Sequence, residues 1–384
     1  MRNSMKKDVY ERLAKHLDKL PGGFPSTESG VEIRILKRLF MPEEAELDLK
    51  LTLVPEEAWV IAHRAKIPEE EAAARLEEMA KKGLIYRMRQ RGKPVKYLTY
   101  QFIIGIWEFH VNDLDPQLIA DMNEYIPVLF NSDSWSNLPQ LRTIPVGKSI
   151  DTGLEVMPYE HIEKLIRSHK RFAVAPCICR REKEMIGKGC GKPMESCLVL
   201  GGGVDYYVEN GIGREITLEE TLDVLKNAEK AGLVLQPSNS KKIVNICCCC
   251  GCCCQVLINL KKHSQPSHFV SSPFQVEVDY DLCSGCGVCL ERCQMDAFRM
   301  ENSKVCLEKD RCIGCGLCVT TCPTEALQLQ RKPEPLQKKI PKTWIETLYT
   351  LAKKRGKLGP IKVFAIKAKT SLDRFRAARS RSRQ

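Results

Sequence analysis

Residues 283–293 read CSGCGVCLERC and residues 312–323 read CIGCGLCVTTCP, with 18 residues between them. Each run spaces its cysteines Cys-x2-Cys-x2-Cys-x3-Cys. Three thiolates at that spacing can cap one face of a cubane iron–sulfur cluster from a single tight loop. A pair of zinc ribbons also uses Cys-x2-Cys pairs, but it leaves the third and fourth cysteines of each run unexplained. Gly285, Gly287, Gly314 and Gly316 let the loops turn where a Cβ would clash and bring N–H groups towards sulfur. The second run ends Cys322-Pro323, whereas the first ends Cys293-Gln294 and lacks the proline.

On these motifs, over roughly residues 276–330, the chain resembles the bacterial two-cluster ferredoxin family. The resemblance implies a pseudo-twofold fold of two short hairpins and two short helices, carrying two 4Fe-4S clusters that pass single electrons. In runs of this kind the fourth cysteine ligates the other cluster. On that rule Cys283, Cys286, Cys289 and Cys322 hold one cluster, and Cys312, Cys315, Cys318 and Cys293 hold the second. Cys306 lies outside both runs and reads as a packed thiol.

The chain has 384 residues, enough for two to three domains with cores of their own. Its 20 cysteines do not describe a small disulfide scaffold; reduced thiols serving metal clusters in a cytoplasm account for them. The N-terminus, MRNSMKKDVYERLAKHL, is charged and helical and lacks the apolar centre of a signal peptide. The best apolar run, residues 102–107, falls far short of a membrane span. The net charge of +12 is unevenly placed: from Arg331 onward 17 Lys and Arg face only Glu334, Glu346 and Asp373. The rest of the chain is slightly acidic.

These patterns predict a multidomain α+β protein. It comprises a helical and winged-helix-like domain over 1–112, a linker over 113–155, and a Cys-rich α/β middle domain over 156–262. A ferredoxin-like two-cluster domain over 270–330 and a basic amphipathic tail over 331–384 follow. Tyr10, Leu13, Leu17 and Leu20 share one helix face until Pro21-Gly22-Gly23, and Gly30 precedes a second helix. Two further helices over 56–66 and 68–82, then two strand-like runs flanking Gly92-Lys93-Pro94, resemble the winged helix-turn-helix family. DNA binding is the functional reading of that module, but its second helix opens Glu69, Glu70, Glu71, which repels phosphate. The wing is basic, with Arg87, Arg89, Arg91, Lys93 and Lys96. Docking or dimerisation suits the module better. Trp107, Phe109, Tyr125, Phe130 and Trp135 read as core or interface aromatics.

In the middle domain an apolar strand, 172–176, delivers Cys177 and Cys179, and Cys190 and Cys197 follow. Thr217 with Glu220 forms a capping box for a helix that Gly232 ends. The run CCCCGCCC then occupies 247–254. Seven thiols in eight residues build a poor apolar core and oxidise readily when idle. Neighbouring cysteines cannot all reach one ion, so only a subset would bind: two or three of Cys177, Cys179, Cys190 and Cys197 with one or two of Cys247 to Cys254, Cys249 and Cys252 foremost, in a third iron–sulfur centre or a zinc site; buried or redox-active thiols are the remaining reading. The layout is similar to uncharacterised multi-cluster ferredoxin-type proteins of anaerobes. Gly201-Gly202-Gly203 lacks the Lys-Ser/Thr of a phosphate loop and reads as a turn. In the tail, Trp344, Leu348 and Leu351 share a helix face, and a second basic stretch after Gly359-Pro360 carries Ile361, Phe364, Leu372 and Phe375. The tail reads as a solvated extension, or as a segment docking on an acidic redox partner or an anionic membrane at the inner face.

The resulting expectation is a cytoplasmic iron–sulfur electron-transfer protein, acting as a redox subunit or adaptor of a partner oxidoreductase rather than as a stand-alone enzyme. No constellation for hydrolysis or group transfer is present. The alternatives are a redox-sensing winged-helix regulator, with nucleic acid as partner, and a reductase with its active site in the Cys-rich middle domain.

Overall fold

A computed structural model describes residues 8–131, 139–150, 156–357 and 360–381. Trp135 and Gly359 lie outside the described residues, as do the side chains of Ile361 and Phe364. Among the described residues helices and strands are mixed, and the strands form four separate sheets. The chain divides into two compact units: Met1–Trp135 with Asp205–Ile212 and Leu348–Gln384, and Ser136–Val204 with Gly213–Thr347.

In the first unit the periodic N-terminal residues form α1 (Val9–Asp18), capped by the Asp8 carboxylate on the Tyr10 N–H, and bury Tyr10, Leu13 and Leu17. Helices α2 (Val31–Leu39), α3 (Pro42–Asp48), α4 (Ala58–Ala65) and α5 (Glu69–Lys81) follow. A hairpin of β1 (Tyr86–Met88) and β2 (Lys96–Leu98) then pairs in antiparallel register. Helix α4 lacks a side-chain cap and turns at Lys66, which adopts a left-handed φ of 59°. The 15-residue helix α6 (Pro116–Phe130) places Tyr125 against Phe24 and Phe102.

The basic wing does not present free charge at its base. Arg87 is buried between Glu77 (2.7 Å) and Glu209 (2.6 Å), and Arg89 contacts the same two carboxylates. Tyr206, from the 205–212 segment, is 1% exposed, and its hydroxyl donates to the carbonyls of Ala80 and Ile85. Its ring stacks on Tyr86 and packs tilted against Phe109.

The second unit contains α7 (Ile162–Arg167), β3 (Phe172–Pro176), α8 (Ile178–Met185), β4 (Glu195–Leu200), β5 (Arg214–Ile216), α9 (Leu218–Lys230), β6 (Val234–Pro237), β7 (Asn245–Cys249) and α10 (Gln255–Lys261). Its five-stranded sheet runs β5-β3-β4-β7-β6, antiparallel throughout. The capping box forms at α9 as its sequence predicts, with Thr217 Oγ1 accepting from the Glu220 N–H. Leu225 and Ala228 of that helix join Phe172, Val174, Leu198, Ile246 and Cys248 in one core. Because strand residues alternate between faces, Cys247 and Cys249 take the face opposite Cys248.

The ferredoxin-like segment has β8 (Phe274–Val278), α11 (Val288–Arg292), β9 (Phe298–Glu301), β10 (Lys304–Leu307) and β11 (Leu327–Arg331). Strand β8 pairs β11, bringing the two ends of the segment together. Strands β9 and β10 close around Asn302 and Ser303, both left-handed, as a two-residue hairpin turn requires.

The tail forms α12 (Trp344–Lys354) and α13 (Pro360–Arg381). Leu351 is fully buried, and Arg355 reaches the Asp18 carboxylate (2.8 Å) and the Leu20 carbonyl (2.7 Å). On α13, Arg374 pairs with Glu57 and Arg381 with Glu69, both lying over the Trp59 ring. Part of the tail's positive charge is therefore met by Glu57, the N-cap of α4, and by Glu69 at the start of α5. No helix among the described residues is long and apolar enough to cross a membrane.

Asp48, at the end of α3, is fully buried, and burial pushes its carboxyl up to about 7 against one hydrogen bond from Thr99. The ordinary value lies near ~4, so the folded chain holds this proton more tightly. The stability it supplies is complete below about pH 4 and is lost as pH rises through about 7. Asp48→Asn should flatten the fall in melting temperature of the intact protein between about pH 4 and pH 7; an equal fall in both proteins would contradict this.

Candidate metal centres

The two ferredoxin runs adopt loops that only glycine permits. Gly285 and Gly314 sit at φ 72° and 68°. A Cβ on Gly285 would stand 2.0 Å from the Ser303 carbonyl oxygen, and one on Gly314 2.2 Å from that of Phe274. The loop of the first run therefore lies on the β9–β10 turn, and that of the second on the start of β8.

Cys283, Cys286 and Cys289 line one cavity together with Cys322, which comes from the far end of the second run. The donors there are four sulfurs held by a glycine-walled loop, and they suit a thiolate-bound cluster. Cys293 belongs electrostatically with Cys312, Cys315 and Cys318: its charge acts on the last two. Burial pushes the Cys315 thiol up to about 12 and Cys289 to about 11. Thiols this hard to ionise give up their protons when a metal replaces them. Cys306 lies on β10, half-buried and outside both groups.

The structure divides the six middle-domain cysteines predicted as one site. Cys177, Cys179, Cys197 and Cys249 belong to one group, and Cys190 and Cys252 to another. In the first, the Cys179 thiol meets Cys177 and Cys254, that of Cys249 meets Cys254 and Cys247, and Cys247 meets Cys197. Strand pairing explains the sheet members: Cys197 on β4 lies opposite Cys247 on β7, with Cys249 two residues on. Cys177 and Cys254 precede α8 and α10, so N–H groups of the first turn lie near their sulfurs: Arg180, which also donates to the Cys177 carbonyl (3.1 Å), beside Cys177, and Val256 and Leu257 beside Cys254. Contacts with neighbouring thiols, and these N–H groups, hold Cys177 and Cys254 below the usual thiol range.

In the second group the sulfurs of Cys190, Cys250, Cys252 and Cys253 all lie within 4.8 Å of one another. Burial works against ionisation of Cys190, but the Lys192 N–H and the neighbouring sulfurs bring it below its ordinary value. Cys250 and Cys253 lie in the 247–254 run from which the sequence draws ligands, but the sequence singles out Cys249 and Cys252 there. Their signal was Gly251, which interrupts the cysteine run and ends the strand alternation.

Between the groups sits Arg180, 2% exposed, whose guanidinium donates to the Cys248 carbonyl (3.1 Å) and contacts Cys250 Sγ (3.7 Å). Burying a guanidinium without an anion costs several kcal/mol, and its electrostatic partners are the sulfurs of Cys177, Cys250 and Cys249. The turn at Gly251 also meets the ferredoxin segment. Its N–H donates to Gln294 Oε1 (2.7 Å), and a Cβ there would stand 2.3 Å from the Gln294 carbonyl oxygen. Gln294 occupies the place that Pro323 takes in the other run. Met295, Ile313 and Leu317 extend this contact into the core that holds Cys248 and Cys250.

Residues 282–326 match the family model described as a 4Fe-4S dicluster domain. The chain is also 54% identical over 28 residues to pyruvate synthase subunit PorD of Methanothermobacter marburgensis, a match covering 7% of this chain and 35% of that protein. The chain thus spans about a third of that relative's length. No solved structure matches the chain.

Gly314→Ala should cost the protein much of its iron when purified without oxygen, because the new methyl meets backbone at 2.2 Å. Gly287→Ala meets nothing within 4 Å and should show only the strain of a left-handed alanine, roughly 1–2 kcal/mol, with iron retained. Full iron in the Gly314 variant would refute the cradle.

Proposed function

We propose that this chain is an iron–sulfur electron-transfer protein with two 4Fe-4S clusters, serving as a redox subunit or adaptor of a partner oxidoreductase. The observation that carries the reading is the cavity that gathers Cys283, Cys286 and Cys289 with Cys322 across the two runs. Cys322 would complete one cluster and Cys293 the other, with Cys312, Cys315 and Cys318. Bound there, the clusters accept and release single electrons. The chain's own contribution is to hold sulfurs in place, exclude water around the buried Cys312 and Cys318, and direct N–H groups at sulfur, which sets the potential.

The likeness of 28 residues to a pyruvate synthase subunit supports an oxidoreductase as the partner class. The six-sulfur group of Cys177, Cys179, Cys197, Cys247, Cys249 and Cys254 suits a third iron–sulfur centre. Its neighbour at the Gly251 turn packs on Gln294, directly after Cys293, so such a centre would continue the electron path from the second cluster. A DNA-binding regulator receives less support: Arg87 and Arg89 are committed to Glu77 and Glu209, and α5 opens with three glutamates.

Anaerobically purified protein should contain more than about eight irons per chain and, on reduction, give an EPR spectrum of interacting centres. Cys322→Ser should alter one of the two ferredoxin signals. Cys254→Ser should lower the iron towards about eight and leave both ferredoxin signals in place. A colourless protein, or a spectrum indifferent to Cys322→Ser, would overturn the two-cluster reading.

A further inference from the structure

The cysteine group on the Gly251 turn differs in scale from the other sulfur groups. Cys190 Sγ is 4.0 Å from Cys250 Sγ, and Cys252 Sγ is 3.8 Å from Cys253 Sγ. Four thiolates around one tetrahedral ion at the zinc–sulfur distance stand about 3.8 Å apart along each edge. Thiolates on a cubane cannot come so near, since each binds a different corner iron and the cluster lies between them. Among the described residues neither ferredoxin-run quartet draws its sulfurs within 4.8 Å. The ligands also come from two separate loops, one at 190 and one at 250–253, as in closed structural zinc sites with four protein ligands and no open position.

We propose that Cys190, Cys250, Cys252 and Cys253 form a tetrahedral four-thiolate site for a single zinc ion, separate from the iron–sulfur clusters. Its surroundings answer the charge. Zinc with four thiolates carries a net double negative charge, and Arg180, buried beside Cys250, supplies a cation from within the protein. The Lys192 N–H points at Cys190, the kind of hydrogen bond that orients a metal-bound sulfur. Cys250 and Cys253 are buried while Cys252 is exposed, so the ion can enter from solvent at one corner. The site would pin the 190 loop to the turn whose Gly251 lies on Gln294, fixing the surface on which the ferredoxin segment rests.

The test is metal analysis of the full-length protein purified without oxygen. Wild type should carry about one zinc per chain, and the Cys252→Ser/Cys253→Ser double variant almost none, with iron content and visible absorbance unchanged. Cobalt substituted into wild type should show the d–d bands of a tetrahedral tetrathiolate ion. Should the double variant fold poorly, Cys252→Ser alone, at the exposed corner, should release zinc to a chelator at least about tenfold faster. Zinc absent from wild type, iron falling in place of zinc in the variant, or a Cys190–Cys250 disulfide in the oxygen-protected protein would overturn the proposal. Iron missing while zinc persists would instead sink the electron-transfer reading and leave this site standing.

Discussion

At Gly285, Gly314 and Gly251 the backbone comes so close to another stretch of chain that a single methyl group would stand 2.0–2.3 Å from a carbonyl oxygen. The sulfur geometry depends on these three approaches. Thiolates are bulky, and as like charges they repel. Gathering several into one place requires the loops carrying them to be anchored by something other than the sulfurs. Here the anchors are main-chain surfaces: the β9–β10 turn, the start of β8, and Gln294. Side chains larger than hydrogen at these points would push the loops outward and spread the donors apart.

Anchoring also explains the division of labour within the cysteine run at 247–254. While the chain is a strand, alternation sends Cys247 and Cys249 to one face and Cys248 to the other. Once the strand ends, Cys250, Cys252 and Cys253 turn towards Cys190, and Cys254 swings back before α10. One run of sequence thereby feeds two sulfur groups and a hydrophobic core. Arg180 lies where the three meet.

This part of the molecule was only half legible in the sequence. Spacing alone identified the ferredoxin runs, because regular intervals in a tight loop leave few geometries. The Thr217–Glu220 capping box and the apolar face of α1 were similarly readable, since each is a local pattern whose stabilisation is local too. In the middle domain the sequence gathers six cysteines into one site, whereas the fold distributes them between two groups of thiols. Their separation depends on strand register, Cys197 opposite Cys247, and register is set by pairing between segments some fifty residues apart. The 205–212 segment carried no periodic signal, and its place beside β1 follows from Tyr206 finding the Ala80 and Ile85 carbonyls. The charge of the tail is evident in the sequence, but not that it meets Glu57, ahead of α4, and Glu69 on α5.

That segment bears on how the polypeptide can be divided. The first unit is assembled from three separate pieces of chain, with the last beginning at Leu348, so no single cut in the gene separates it from its neighbour. A fragment ending ahead of Asp205 would leave the ring stack of Tyr86 and Phe109 without its central member, and Arg87 without one of its two carboxylates. During synthesis the N-terminal module gains these contacts only once residues 205–212 have emerged, and those of Leu351 and Arg355 only with the C-terminal helices.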